Sequence, residues 1–168
     1  MPRILLAGIS ILATRQDLFL RSNAQRLAQL SVPTDRQMMP DFAFRDAIVG
    51  NDISVYSAYD QESLVMSMGV IDSALIDAEA TVFSYGVAQT AKSSLLTRIT
   101  TTIALHMLGD DTVIKDFEWA QKMLEGHSKG MLSLVKPEIS PLPVVGDVAI
   151  IASNSPRYGR DTPFNDWI

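Results

Sequence analysis

Leu64, Met68, Ile71, Leu75, Ala78 and Val82 recur at alternating spacings of four and three residues, and that rhythm leaves little choice of fold. Only an α-helix places such positions in one line, so a single apolar seam is expected to run along residues 60–85. Ser57 or Asp60 can cap its start, and Gly86 can end it. A helix this long with one continuous seam needs helical partners. The rest of the chain offers three. Thr14-Arg15-Gln16-Asp17 has the form of a capping box, in which hydroxyl and carboxylate satisfy each other's orphan backbone donors. A first helix is expected from there, with Leu20, Ala24 and Leu27 on one face, ending before Pro33. Leu95, Ile99, Thr102 or Ile103, and His106 mark a third helix over 92–108, stopped by Gly109. A fourth follows the Asp110-Asp111 pair, whose charge favours a helix N-terminus, with Val113, Phe117, Ala120 and Leu124 as its buried stripe and Gly126 and Gly130 at its end.

These readings give an all-α fold, a four-helix bundle with extended ends. A chain of 168 residues, 47% hydrophobic, fits one domain with a real core. Residues 1–12 read as an N-terminal arm, 13–134 as the helical domain and 135–168 as an extended C-terminal tail. Within the domain, residues 31–58 mix Pro33, Pro40, Gly50 and Asn51 with short apolar clusters. They read as a long loop, holding at most one helical turn near residues 42–49. Five prolines after Gly130 forbid a long helix in the tail. A strand is possible over 142–152, which is rich in valine and isoleucine. The tail carries apolar and aromatic residues without a periodic partner in its own chain, so docking on a neighbouring subunit explains it better than solvation.

Composition narrows the function. Absence of cysteine removes disulfides, thiolate metal sites and thiol nucleophiles, and suits assembly in a reducing cytoplasm. A net charge of −5 without any Lys/Arg run opposes general affinity for nucleic acid. The opening MPRILLAGISILA is too short to span a bilayer and lacks a signal cleavage site, so an arm that packs on the body or on a neighbour is expected, with no membrane partner. His106 and His127 lie 21 positions apart, on different expected helices or at their ends, without metal-ligand spacing. They read as a packed residue and a cation at a helix C-terminus. Residues 126–130 end a helix instead of opening one and lack phosphate-loop order. Asp72, Asp77 and Glu79 flank the seam and read as surface charge or inter-subunit partners. No G-x-S-x-G elbow occurs. The expectation is a non-enzyme with no catalytic, cofactor or metal residues.

Four segments carry a resemblance. They are Ala13-Thr14-Arg15-Gln16-Asp17-Leu18; Val70-Ile71-Asp72-Ser73-Ala74-Leu75-Ile76-Asp77-Ala78-Glu79 followed by Tyr85; Phe117 to Ala120 with Met123-Leu124-Glu125, leading to Gly130 and Ser133-Leu134; and Arg160-Asp161-Thr162 with its trailing aromatic. In this order the chain resembles the head-tail adaptor proteins of Mu-like tailed phages. The departures fall in loops: residues 31–58 are longer than the family's stretch after the first helix, and Gly86-Val87-Ala88-Gln89 is shorter than its next loop. The first twelve residues are additional, and Pro163-Phe164 replaces a Leu-x-Gly-Phe ending.

The resemblance implies an adaptor-type helical subunit of a virion neck, assembled in the host cytoplasm. It would form a ring of twelve copies between the portal protein and the next neck or tail-completion protein, with genomic DNA only passing through the lumen. An acidic chain suits that role, because a passage that gripped phosphates would slow it. Aromatic and arginine side chains supply a disproportionate share of interface energy, so Arg157, Tyr158, Arg160, Phe164 and Trp167 are the expected partner-binding residues. A soluble helical regulatory or inhibitory protein that binds one partner through the same seams is the alternative; it predicts a monomer or dimer indifferent to portal.

Overall fold

The computed structural model describes residues 10–37 and 39–135. Most of the expected N-terminal arm, the strand expected over 142–152, and Arg157, Tyr158, Arg160, Phe164 and Trp167 lie outside the described residues. Every element among the described residues is helical: α1 (Arg15–Arg21), α2 (Ala24–Ser31), α3 (Asp41–Val49), α4 (Ala58–Ser84), α5 (Ser94–Met107), a 3-10 turn (Asp111–Val113) and α6 (Ile114–Ser128). The all-α reading stands, but six α-helices occupy the region where the sequence predicted four.

The first expected helix is two helices. Thr14 builds the capping box, its Oγ1 accepting from the Asp17 amide at 3.2 Å while Asp17 accepts from the Thr14 amide at 2.8 Å. Ser22 then takes an extended conformation, and the Asn23 side chain starts α2 by accepting from the Arg26 amide at 2.7 Å. That break changes the buried face. Leu20, expected inside, is 82% exposed, whereas Leu18, Leu27 and Ala28 are buried.

The second difference is α3, which replaces part of the long loop expected over 31–58. Ala43, Phe44, Ala47 and Ile48 fall at helical spacing and are all buried. Nine residues between Pro40 and Gly50 are too few for a stable isolated helix, so its order comes from docking against α1, α2 and α4. Gly50 closes it at φ 84°, letting the Asn51 amide reach back to the Asp46 carbonyl at 2.9 Å.

All six seam residues of α4 are buried, and Ser57 caps the helix. Helix α5 is the hub: it packs on α4, α6 and α1, and residues 99–105 are buried on every side. Helix α6 packs on α5 instead of on the α4 seam. The described end of the arm also packs on the body. Ser10 and Leu12 are buried, and the Leu12 carbonyl accepts from the Thr97 hydroxyl of α5 at 2.8 Å.

Buried hydroxyls in this core bond back along their own helices: Ser31 to the Leu27 carbonyl at 2.7 Å, and Ser67 to the Ser63 carbonyl at 2.9 Å. The Thr100 hydroxyl is the exception, being fully buried without a partner among the described residues. Thr100→Val keeps its shape and removes an unsatisfied polar group. It is expected to raise the unfolding free energy by about 1 kcal/mol, read from the urea midpoint; a loss of similar size would show that the hydroxyl is in fact bonded.

Candidate interaction surface

Helix α4 carries two apolar faces. Its seam turns inward, but the line on its outer side, Glu62, Met66, Gly69, Ser73, Ile76 and Ala80, has the same four-three rhythm and contains one charge. Val65 and Val70 flank that line. Val65, Met66, Val70 and Ile76 are between 36% and 57% exposed. A helix apolar on both sides ordinarily lies between two packed layers, and here the described residues cover only one side. Scattered exposed leucines or valines mean little, whereas here four apolar side chains gather along the outer side of one helix.

Beside this face runs a groove of about 340 Å³ between α3 with its following loop and α4. Ala47, Ile53, Leu64, Val65 and Met68 make its apolar wall. Arg15 and Asp72 meet at its end in a two-pronged ion pair, with Nε 2.6 Å from Oδ1. Asp72 is therefore an intramolecular partner of α1 instead of a free surface charge. Both side chains remain about one-third exposed (34% and 37%), so water screens the pair and a bound acid or base could compete for either half.

Next to the groove, the Tyr56 hydroxyl donates to the Asp46 carboxylate, which also accepts from the Asn51 amide at 2.9 Å. The Tyr56 and Asn51 bonds hold the Asp46 carboxyl below its usual range, and the Asp46 bond pushes the Tyr56 phenol up. Arg36 pairs with Glu62 at 3.0 Å and lies 4.8 Å over the Tyr59 ring.

Glu79 departs further from the expected surface charge. It is buried, and both its oxygens accept from the Ile11 amide, at 3.0 and 3.2 Å. Its role is to pin the end of the arm to α4. Asp77 alone of the three acids is exposed without an ion pair among the described residues.

The histidines sit in packing and capping positions. His106 stacks on Phe117 with centroids 3.8 Å apart, joining α5 to α6. His127 lies in the last turn of α6, its Nδ1 3.3 Å from the Leu132 carbonyl oxygen. Residues 126–130 form that helix's exit: Gly130, at φ 70°, lets the Met131 amide return to the Gly126 carbonyl at 2.9 Å. Leu132 packs so close to Gly126 that a Cβ there would stand 2.7 Å from it. No group of three or more potential metal ligands occurs among the described residues. No helix among them is long and apolar enough to cross a membrane.

No family model, curated protein or solved structure matches the chain. The partner-binding residues expected in the tail lie outside the described residues, while the outer face of α4 escaped the sequence reading. Its signal was present in the spacing of Met66, Gly69, Ser73, Ile76 and Ala80, hidden because a stronger seam shares the same helix.

Proposed function

We propose that this chain is a structural subunit of a homo-oligomeric ring, a head-tail adaptor of a Mu-like tailed phage. It stands between the portal protein and the next neck protein, with genomic DNA passing through the lumen. The observation that supports the assembly role is the second apolar face of α4, which the other described residues leave uncovered. The phage placement rests on the resemblance of the opening at 13–18, the long helix at 70–79, the last helix and the Arg160-Asp161-Thr162 ending. In this reading α1 with α2, α4, α5 and α6 supply the four helices of the adaptor-type bundle, α3 is an addition, and the tail with Phe164 and Trp167 grips a neighbour.

Two experiments test it. Purified particles should contain this polypeptide, and antibody labelling should place it at the vertex where the tail attaches; its absence from particles removes the reading. Met66→Glu with Val70→Glu should leave the isolated chain's stability within about 0.5 kcal/mol, as exposed substitutions do, yet abolish incorporation into portal-containing assemblies seen by electron microscopy. A wild-type chain that stays a monomer or dimer with portal present would favour a soluble regulatory or inhibitory binding protein instead.

A further inference from the structure

We propose that the outer face of α4 is the seat for residues 142–152 of a neighbouring copy, so that the tail of each subunit lies on the long helix of the next. The inference rests on the ring-subunit reading and names the contact that links the copies.

The seat is a strip along one helix. Glu62, Met66, Gly69, Ser73, Ile76 and Ala80 run in line, with Val65 on one flank and Val70 on the other. All eight are exposed, and a Cβ added at Gly69 would meet no atom of another described part of the chain within 4 Å. From Glu62 to Ala80 the strip is about 27 Å long, at about 1.5 Å per residue. Gly69, Ser73 and Ala80 keep its centre low, while Val65, Met66, Val70 and Ile76 form apolar walls. The charge on this helix is all of one sign: it carries Asp60, Glu62, Asp72, Asp77 and Glu79 and no Lys, Arg or His. An occupant therefore has to be apolar along its contact side and free of carboxylates there.

Residues 142–152, Leu-Pro-Val-Val-Gly-Asp-Val-Ala-Ile-Ile-Ala, meet that requirement. They lie outside the described residues, and their sequence holds one charge in eleven positions. In an extended chain alternate side chains point the same way. Leu142, Val144, Gly146, Val148, Ile150 and Ala152 then share one side without a charge, and Asp147 falls on the other. Eleven extended residues span about 36 Å, enough to cover the strip. The apolar opening is the rival within this chain, but Ile4 to Ile9 is six residues, about 20 Å when extended, and is shorter than the strip.

The place where the described chain ends supplies the reach. Leu134 is buried, and its carbonyl accepts from the Ser93 hydroxyl at 3.2 Å, at the start of α5. Six residues, Lys136 to Pro141, can bridge as much as about 20 Å before Leu142, so a neighbour's strip within that distance is in reach. A tail-on-helix contact joins two different surfaces of identical chains. Such a heterologous contact closes into a ring when the rotation permits.

The test uses the full chain in two altered forms. Met66→Glu with Val70→Glu spoils the strip and leaves the tail intact; Val148→Asp with Ile150→Asp spoils the tail and leaves the strip intact. Circular dichroism checks that each keeps its helices, and sedimentation velocity gives the mass. The wild-type chain is expected to form assemblies larger than a dimer. Each altered form alone should associate at least about a hundredfold more weakly, since two apolar side chains are lost from every contact. Mixed in equal amounts, the two forms should pair and stop at the dimer. The intact tail of one seats on the intact strip of the other, and the second contact is broken on both sides.

A tail-altered chain that associates like the wild type overturns the proposal while the ring reading stands. So does a mixture that stays monomeric. Loss of association on Leu5→Asp with Leu6→Asp, and none on Val148→Asp with Ile150→Asp, would assign the strip to the N-terminal arm instead. A wild-type chain that is monomeric at every concentration overturns the proposal, and the particle experiment alone then decides the ring reading.

Discussion

Phe44→Ala is expected to lower the unfolding free energy by about 3–5 kcal/mol, a large part of what a domain of this size has to lose. Phe44 has no exposed surface and belongs to a helix of nine residues. Such a helix cannot hold itself, so its order depends on what its side chains bury. Truncating the ring removes apolar area and leaves a cavity between α3 and its neighbours α1, α2 and α4. The effect should extend to the groove, since Ala47 and Ile53 line it and follow Phe44 in the chain. Urea unfolding followed by circular dichroism measures the change. A loss below about 1 kcal/mol, outside the range of large-to-small core changes, would mean that α3 does not pack as described.

The second large effect concerns Asp110, whose side chain is only 3% exposed. Burial by itself would raise this carboxyl. It is outweighed by the Thr112 hydroxyl at 2.7 Å, by Arg26 with Nη2 at 3.0 Å, and by the Thr112 amide at 3.1 Å, so the group titrates below its ordinary value. Gly109, at φ 87°, makes this arrangement possible, turning the chain so that the Asp110 amide returns to the Leu105 carbonyl at 3.0 Å. Asp110 thereby joins α2, the end of α5 and the start of the 3-10 turn.

Asp110→Asn should cost about 2 kcal/mol at neutral pH, with Arg26 contributing the smaller share because 35% of its side chain stays in water. The sign of the pH dependence follows from the depressed folded value. Stability from this group is complete above the unfolded carboxyl value of about 4, and it is lost as pH falls from there toward the lower folded value. Asp46 and Asp52 shift in the same direction, so the wild-type chain loses stability in acid from several groups. The difference between wild type and Asp110→Asn isolates one of them. It should shrink steadily below about pH 4; a difference independent of pH would place the effect in hydrogen bonding alone.

Much of the helical framework was legible beforehand. The α4 seam, the Thr14 capping box, the Ser57 cap and the stops at Gly86 and Gly109 are local signals, in which a few residues decide the backbone around them. The break at Asn23 was not, and the helix at 41–49 was legible only as a single turn within a loop, for a shared reason. Asn is an ordinary residue in a helical pattern until a competing cap forms, and a nine-residue stripe between Pro40 and Gly50 has no helical stability of its own.

Periodicity along the chain fixed which residues of α4 face a common direction, because 3.6 residues per turn is a property of the backbone itself. It could not say which of its two apolar faces the other described helices would take. Tertiary packing decided that, along with the burial of Glu79 under Ile11, the pairing of Asp72 with Arg15 and the gathering of Arg98 against Trp119. Those contacts join residues separated by 68, 57 and, for the last pair, two different helices. Their energies depend on distance in space, which no spacing along the chain encodes.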